Sequence, residues 1–220
     1  MTEARLANAF EAYERVVALG GNEAHAERVA EMRRLFEART GVFRAEDRWF
    51  EARSRAFWDD AVTRQGFARE VSPLLAEEAR AWVTSFDRAH RGLFRTLPRD
   101  DESADETRVV LSDVWGGADF VVDLADDGTR EALDAATGLF DARLVALASP
   151  PLVAILPGAL FHPEDATEAI LAVVATAREK ALGADEVLDA LLRMERNLRS
   201  LSRVKAAYAY RADALTTKAR

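Results

Sequence analysis

The stretch from Arg108 to Phe161 constrains the fold of this chain more than any other part. It reads RVVLSDVWGGADFVVDLADDGTREALDAATGLFDARLVALASPPLVAILPGALF. Its apolar runs are short and are separated by glycine, proline and aspartate, which is strand-and-turn patterning. On both sides apolar residues recur at helical spacing instead. A chain with strands only in its middle must build a small β unit and bury one face of it under helices.

Two runs, RVVLSDVW and ADFVVDL, flank Gly116-Gly117. Glycine accepts the positive φ of a tight turn, so the pattern predicts a β-hairpin. Phe120, Val122 and Leu124 alternate with Val121 and Asp123, which predicts one buried face. Asp126-Asp127-Gly128 reads as a turn and residues 129–136 as a short helix. DARLVALA and PLVAIL read as two further strands joined by Ser149-Pro150-Pro151, and Pro157-Gly158 as a type II turn. The unit is expected to be mostly antiparallel, a curled sheet or a small open barrel.

Before it, residues 3–19 carry Leu6, Phe10, Tyr13 and Val17 on one helical face, and Gly20-Gly21 ends the helix. A second helix runs to Thr40 with Val29, Met32 and Phe36, and the two are expected to form an antiparallel hairpin. A third covers residues 46–64. A fourth starts at Ser72-Pro73, carries Leu75, Trp82, Phe86 and Phe94, and ends near Leu97-Pro98. Residues 99–107, RDDESADET, are acidic and read as an exposed linker. After the β unit a helix begins around His162-Pro163 and runs to Leu182, capped by Gly183. The last one starts at Ala184-Asp185 and reaches at least Ser202. The expected class is therefore α+β: a helical region over 1–98, a linker over 99–107, and a β unit with a C-terminal helical pair over 108–220.

Composition bounds function more than it identifies it. The chain of 220 residues is 49% apolar and 31% charged, ordinary for a globular protein. No apolar run approaches the ~20 residues of a membrane span, and the charged N-terminus does not read as a signal peptide. The expected location is the cytoplasm. Cysteine is absent, which removes disulfides, thiolate catalysis and zinc-thiolate or iron–sulfur sites together. Lys180, Lys205 and Lys218 are the only lysines, an arginine and alanine bias that suits a GC-rich bacterial genome. The net charge of −8 opposes a chain-wide affinity for nucleic acid.

The motifs are weak in chemistry. Gly116-Gly117 fits neither GxxxxGK[ST] nor GxGxxG. His162 beside Glu164 and Asp165 could serve acid–base or metal chemistry, but the same residues suit a helix start. His25 and His90 are placed on other helices without ligand spacing, so no metal site and no cofactor is expected. The pairs Asp59-Asp60, Glu77-Glu78, Asp100-Asp101 and Asp126-Asp127 are expected to be solvated, because neighbours on a helix diverge by ~100°. No serine lies in GxSxG and no EXXH occurs.

Two surfaces are asymmetric. Trp49-Phe50 and Phe57-Trp58 place more aromatic area on the third helix than one stripe buries, so Trp49 and Trp58 are candidates for partner contact. On the last helix Arg196, Arg199 and Arg203 share a side bordered by Arg193, opposite Leu191, Met194, Leu198 and Leu201. The leading expectation is a non-enzymatic interaction, regulatory or adaptor protein that binds a protein partner through these helical surfaces, with self-association also open. The alternatives are nucleic-acid binding by the β unit and basic last helix, and an enzyme with a pocket near His162.

Overall fold

The computed structural model describes residues 2–97, 108–124, 131, 133, 138–147, 152–201 and 204–216. Helices α1 (Thr2–Gly20), α2 (Ala26–Thr40) and α3 (Phe50–Val62) come first. The fourth predicted helix does not exist as one piece. Its span breaks into the short helices α4 (Phe67–Val71), α5 (Glu77–Arg80) and α6 (Val83–Asp87), followed by strand β1 (His90–Thr96). Leu75, Phe86 and Phe94 are all buried, but Leu75 lies in the link before α5, Phe86 on α6 and Phe94 on β1. Nor do α1 and α2 pack chiefly on one another: α1 packs on α3, α4 and α5, and α2 on α3 and the last helix.

Strands β2 (Arg108–Asp113), β3 (Asp119–Asp123), β4 (Phe140–Ala146), β5 (Val153–Ile155) and β6 (Leu160–Phe161) complete the β unit. The order is β1-β2-β3-β5-β4, and β4 returns to pair with β1, so the first five strands close a barrel. Closure runs antiparallel from His90↔Leu144 to Phe94↔Phe140. Every pairing is antiparallel except β3 with β5. The fold is thus α+β with a small, mostly antiparallel barrel, and β6 adds to β4 beside it. β1 lies before the acidic stretch and pairs with strands after it, so residues on both sides of 99–107 share one barrel. The acidic stretch itself lies outside the described residues, as do the turns at 126–128 and 149–151. Of the helix expected over 129–136, residues 131 and 133 are described and are helical.

The predicted hairpin is present. Asp113 and Ala118 close the β2–β3 turn at 2.8 Å, and Gly117 adopts φ +73°. Pro157-Gly158 also turns the chain, but Gly158 lacks the positive φ of a type II turn. Glycine is needed there for space: a Cβ would lie 2.6 Å from the Arg55 carbonyl oxygen and 2.7 Å from Ala56.

Alternation sorts the strand side chains. Phe94, Val109, Leu111, Val122, Phe140, Ala142 and Leu144 fill the barrel. Outside, β4 and β5 are covered: Val145 and Ala154 join a core built from α1, α2, α3 and α6. Helices α7 (Thr167–Glu179) and α8 (Ala184–Ser200) form another core against Leu93 of β1. α8 stops at Ser200, short of its predicted end, and a left-handed Ala181 rather than Gly183 marks the turn after α7.

Candidate functional site

Charged residues meet where α2, α3 and α8 press on the outside of β1 and β4. Arg53, Asp59 and Asp60 of α3 have no exposed surface. Asp60 accepts from Arg143 of β4 at 2.7 Å, from Arg39 at 2.5 Å and from Gln65 at 2.8 Å. Arg53 donates to the Thr40 carbonyl at 3.1 Å, to Glu195 at 2.9 Å, and to the Leu192 carbonyl. Arg91 of β1 grips Asp141 with two bonds of 2.7 and 3.1 Å and reaches Asp189 of α8 at 2.7 Å. Asp189 also accepts from Arg64 at 3.0 Å. Arg39 Nε lies 3.1 Å from Asp189 without hydrogen-bond alignment. Charges removed from water need such partners, because the cost of an unpaired buried ion is several kcal/mol, roughly 3–5 when one partner is deleted.

The expectation that Asp59-Asp60 is solvated therefore fails. Tertiary packing puts both under the barrel, whereas Glu77 and Glu78 are exposed as expected. Asp59 accepts from the Tyr13 hydroxyl at 2.7 Å and the Gly158 N–H at 2.9 Å. Burial pushes its carboxyl up to about 7, against the pull of Arg143 and both hydrogen bonds. Burial also opposes the charges of Arg91 and Asp189. The attraction of Asp141 and then Asp189 outweighs it at Arg91, holding that guanidinium above its ordinary value, and Arg91 with Arg64 and Arg39 holds Asp189 below its own. The network joins five elements of structure, α2, α3, α8, β1 and β4, and each member is occupied by another.

The arginines of the last helix are also engaged within the chain. Arg193 donates to the Arg39 carbonyl at 2.5 Å and the Leu215 carbonyl at 3.2 Å. Arg196 donates to the Val42 carbonyl at 3.2 Å, and its stem lies over Gly41. Arg199 pairs with buried Glu195 while its side chain stays 43% exposed. Arg203 lies outside the described residues. Trp49 and Trp58 are half-buried against the helical core. Trp58 tilts against Phe57 and Phe67, with ring centroids 5.0 and 6.3 Å away. Trp49 keeps a buried indole N–H without a partner.

The histidines separate. His25 stands edge-on to Phe67 with centroids 5.6 Å apart. His90, expected on a helix, begins β1, stacks on Phe120 and bonds Asp113 at 2.9 Å. His162 is buried just before the turn into α7, with Nδ1 2.8 Å from the Tyr210 hydroxyl and Nε2 unpartnered. Burial drives its pKa down to about 4, so the ring is neutral at pH 7. Among the described residues no group of three or more histidines and carboxylates could hold a metal ion. No described helix is long and apolar enough to cross a membrane.

Opposite the helices, no described element covers the outer face of β2 and β3. Val110 and Ser112 are half-buried, Asp119 is exposed, and Val121 is 44% exposed. Arg95 of β1 is exposed beside Ser112, its register partner. Arg108 bonds Asp123 at 2.8 Å across the hairpin. This face is mixed in charge and free of outward aromatic side chains among the described residues. No protein-family model matches the chain, and neither a curated protein nor a solved structure matches it.

Proposed function

We propose that this chain is a non-enzymatic interaction protein that holds a small barrel rigidly on a helical base and binds a protein partner through the outer face of β2 and β3. The observation that carries the reading is the asymmetry of the barrel. Outward Asp141 and Arg143 of β4 are locked into a buried ionic network, while outward Asp119 and Val121 of β3 are exposed and outward Val110 and Ser112 of β2 are half-buried. Strand order β1-β2-β3-β5-β4 with closure of β4 on β1 is the connectivity of the OB-fold, whose ligands bind on the strand 2–3 face. That is an analogy of connectivity, and the chemistry of the face must decide the ligand. Single-stranded nucleic acid wants a basic groove with stacking aromatics. This face instead pairs Arg108 with Asp123 and exposes Val121 between polar neighbours, which suits a protein surface.

The groups with strongly shifted pKa values support a structural role for the polar centre. Asp59 and His162 both lie buried under other elements. The cysteine-free sequence suits a reducing compartment, so we take the protein to act in the cytoplasm as an adaptor or regulator.

Photocrosslinkers at position 121 and at position 199 test the reading on the intact chain. A protein partner captured from the host should crosslink through position 121, and Val121→Asp should abolish its recovery. Arg196→Glu with Arg199→Glu should leave recovery intact. The reverse pattern would move the interface to α8, and salt-sensitive capture of oligonucleotide alone would favour the nucleic-acid reading.

A further inference from the structure

Residues 204–216 run back over α7 and α8 after the last helix ends, as two 3-10 turns, Ala206–Tyr208 and Ala212–Thr216. Apolar packing and a few polar bonds fasten them. Ala206, Tyr210 and Leu215 are buried in the core formed by α7 and α8. Arg193 holds the Leu215 carbonyl at 3.2 Å. The Tyr210 hydroxyl holds His162 Nδ1 at 2.8 Å, its ring standing at 88° to the imidazole with centroids 5.5 Å apart.

The other imidazole nitrogen has no partner, and His162 is only 5% exposed. A neutral ring in its Nδ1–H tautomer donates to the Tyr210 oxygen and leaves only a lone pair unused on Nε2. A protonated ring carries two N–H donors, and the one on Nε2 would be buried with nothing to accept it. Neighbouring carboxylates do not meet the need. Glu195 of α8 is taken by Arg53 and Arg199, and Asp141 of β4 by Arg91. Arg53 of α3 and Arg199 oppose a second positive charge, and burial outweighs the attraction of Glu195 and Asp141. On the side of the segment, Tyr210 stays protonated, since burial, with Glu195 and then Asp165, pushes its hydroxyl up further than Arg199 and Arg53 draw it down.

We propose that residues 204–216 are an acid-released strap: they seat on α7 and α8 only while His162 is neutral, and its protonation frees them and uncovers the apolar surface they occupy. This is independent of the partner face on β2 and β3.

The covered ring titrates at about 4 and a released one near 6.5, so the open form binds more protons between those values. Seating is then strongest above the upper value and weakens as pH falls towards the lower one. Release should be roughly 30-fold more favourable at about pH 5 than at about pH 7.5.

Amide hydrogen exchange on the intact chain, corrected for its intrinsic pH dependence, reads this directly. The reporters are the amides of Tyr208, Ala209 and Ala214, which close the turns at 2.9 to 3.0 Å. Their protection should fall roughly 30-fold on acidification while β1–β5 keep theirs. His162→Gln keeps a neutral bond to Tyr210 and should abolish the response. Equal protection at both pH values, a response that survives in His162→Gln, or loss shared with the barrel strands would each overturn the proposal. Should that variant not fold, the His162 ring signal of the unaltered chain decides. Titration below 6.5, together with loss of protection, supports the strap. Titration at the ordinary value with the turns still protected overturns it.

Discussion

The two outer sides of the barrel obey the same alternation and end in opposite environments. On β4, outward Asp141 and Arg143 are buried, each ion-paired to an element tens of residues away in sequence. On β2 and β3, outward Ser112, Asp119 and Val121 meet solvent. The first side is a clamp and the second a display. An outward polar residue therefore does not mark a wet surface. What marks it is whether another element arrives with the opposite charge.

The largest expected effect comes from breaking the clamp. Arg53→Met leaves Glu195 buried with only Arg199, and should lower stability by ~3–5 kcal/mol in urea unfolding. Arg53→Met with Glu195→Met should recover most of that loss, because the pair is removed together. A single variant as stable as the parent would mean the network is not a clamp. Next is Gly158→Ala, which forces a methyl group against α3 and disturbs the N–H bond to Asp59. It should cost about 1–3 kcal/mol by the same measurement.

Smaller and more diagnostic is the pH dependence. Folded Asp59 holds its proton up to about 7 rather than 3.8, so its contribution is full below the lower value and is lost as pH rises through the upper one. His162 does the opposite: its contribution is full above 6.5 and is lost as pH falls through about 4. In the parent the two slopes offset one another. With His162→Gln, stability should fall from pH 4 to 7. With Asp59→Asn it should rise over the same range. Urea midpoints across that range check both, and slopes of equal sign in the two variants would refute the burial of one group.

Much of this architecture is legible in the sequence, for local reasons. Gly116-Gly117 between β-rich runs marks the hairpin, and the periodic stripes of α1, α2, α3, α7 and α8 mark helices. β1 is not legible. HRGLFRT has no β-branched residue before its last position, and it becomes a strand because β2 and β4 pair with it on both sides. The clamp leaves a faint trace. Arg53, Ala56, Phe57 and Asp60 share helical spacing, as do Leu188, Leu191, Leu192 and Glu195, so charged residues stand in register with the buried stripes. That register is the signal that a solvated reading of Asp60 passes over. The basic side of the last helix is legible as a pattern, but its carbonyl partners Arg39, Val42 and Leu215 come from distant segments.

The most direct test of the contrast between clamp and display is an exchange footprint of the intact chain with its crosslinked partner bound. Added protection over residues 108–123, with α8 unchanged, is the result this account predicts. Protection added along α8 around Arg196 and Arg199, with β2 and β3 unchanged, would contradict it.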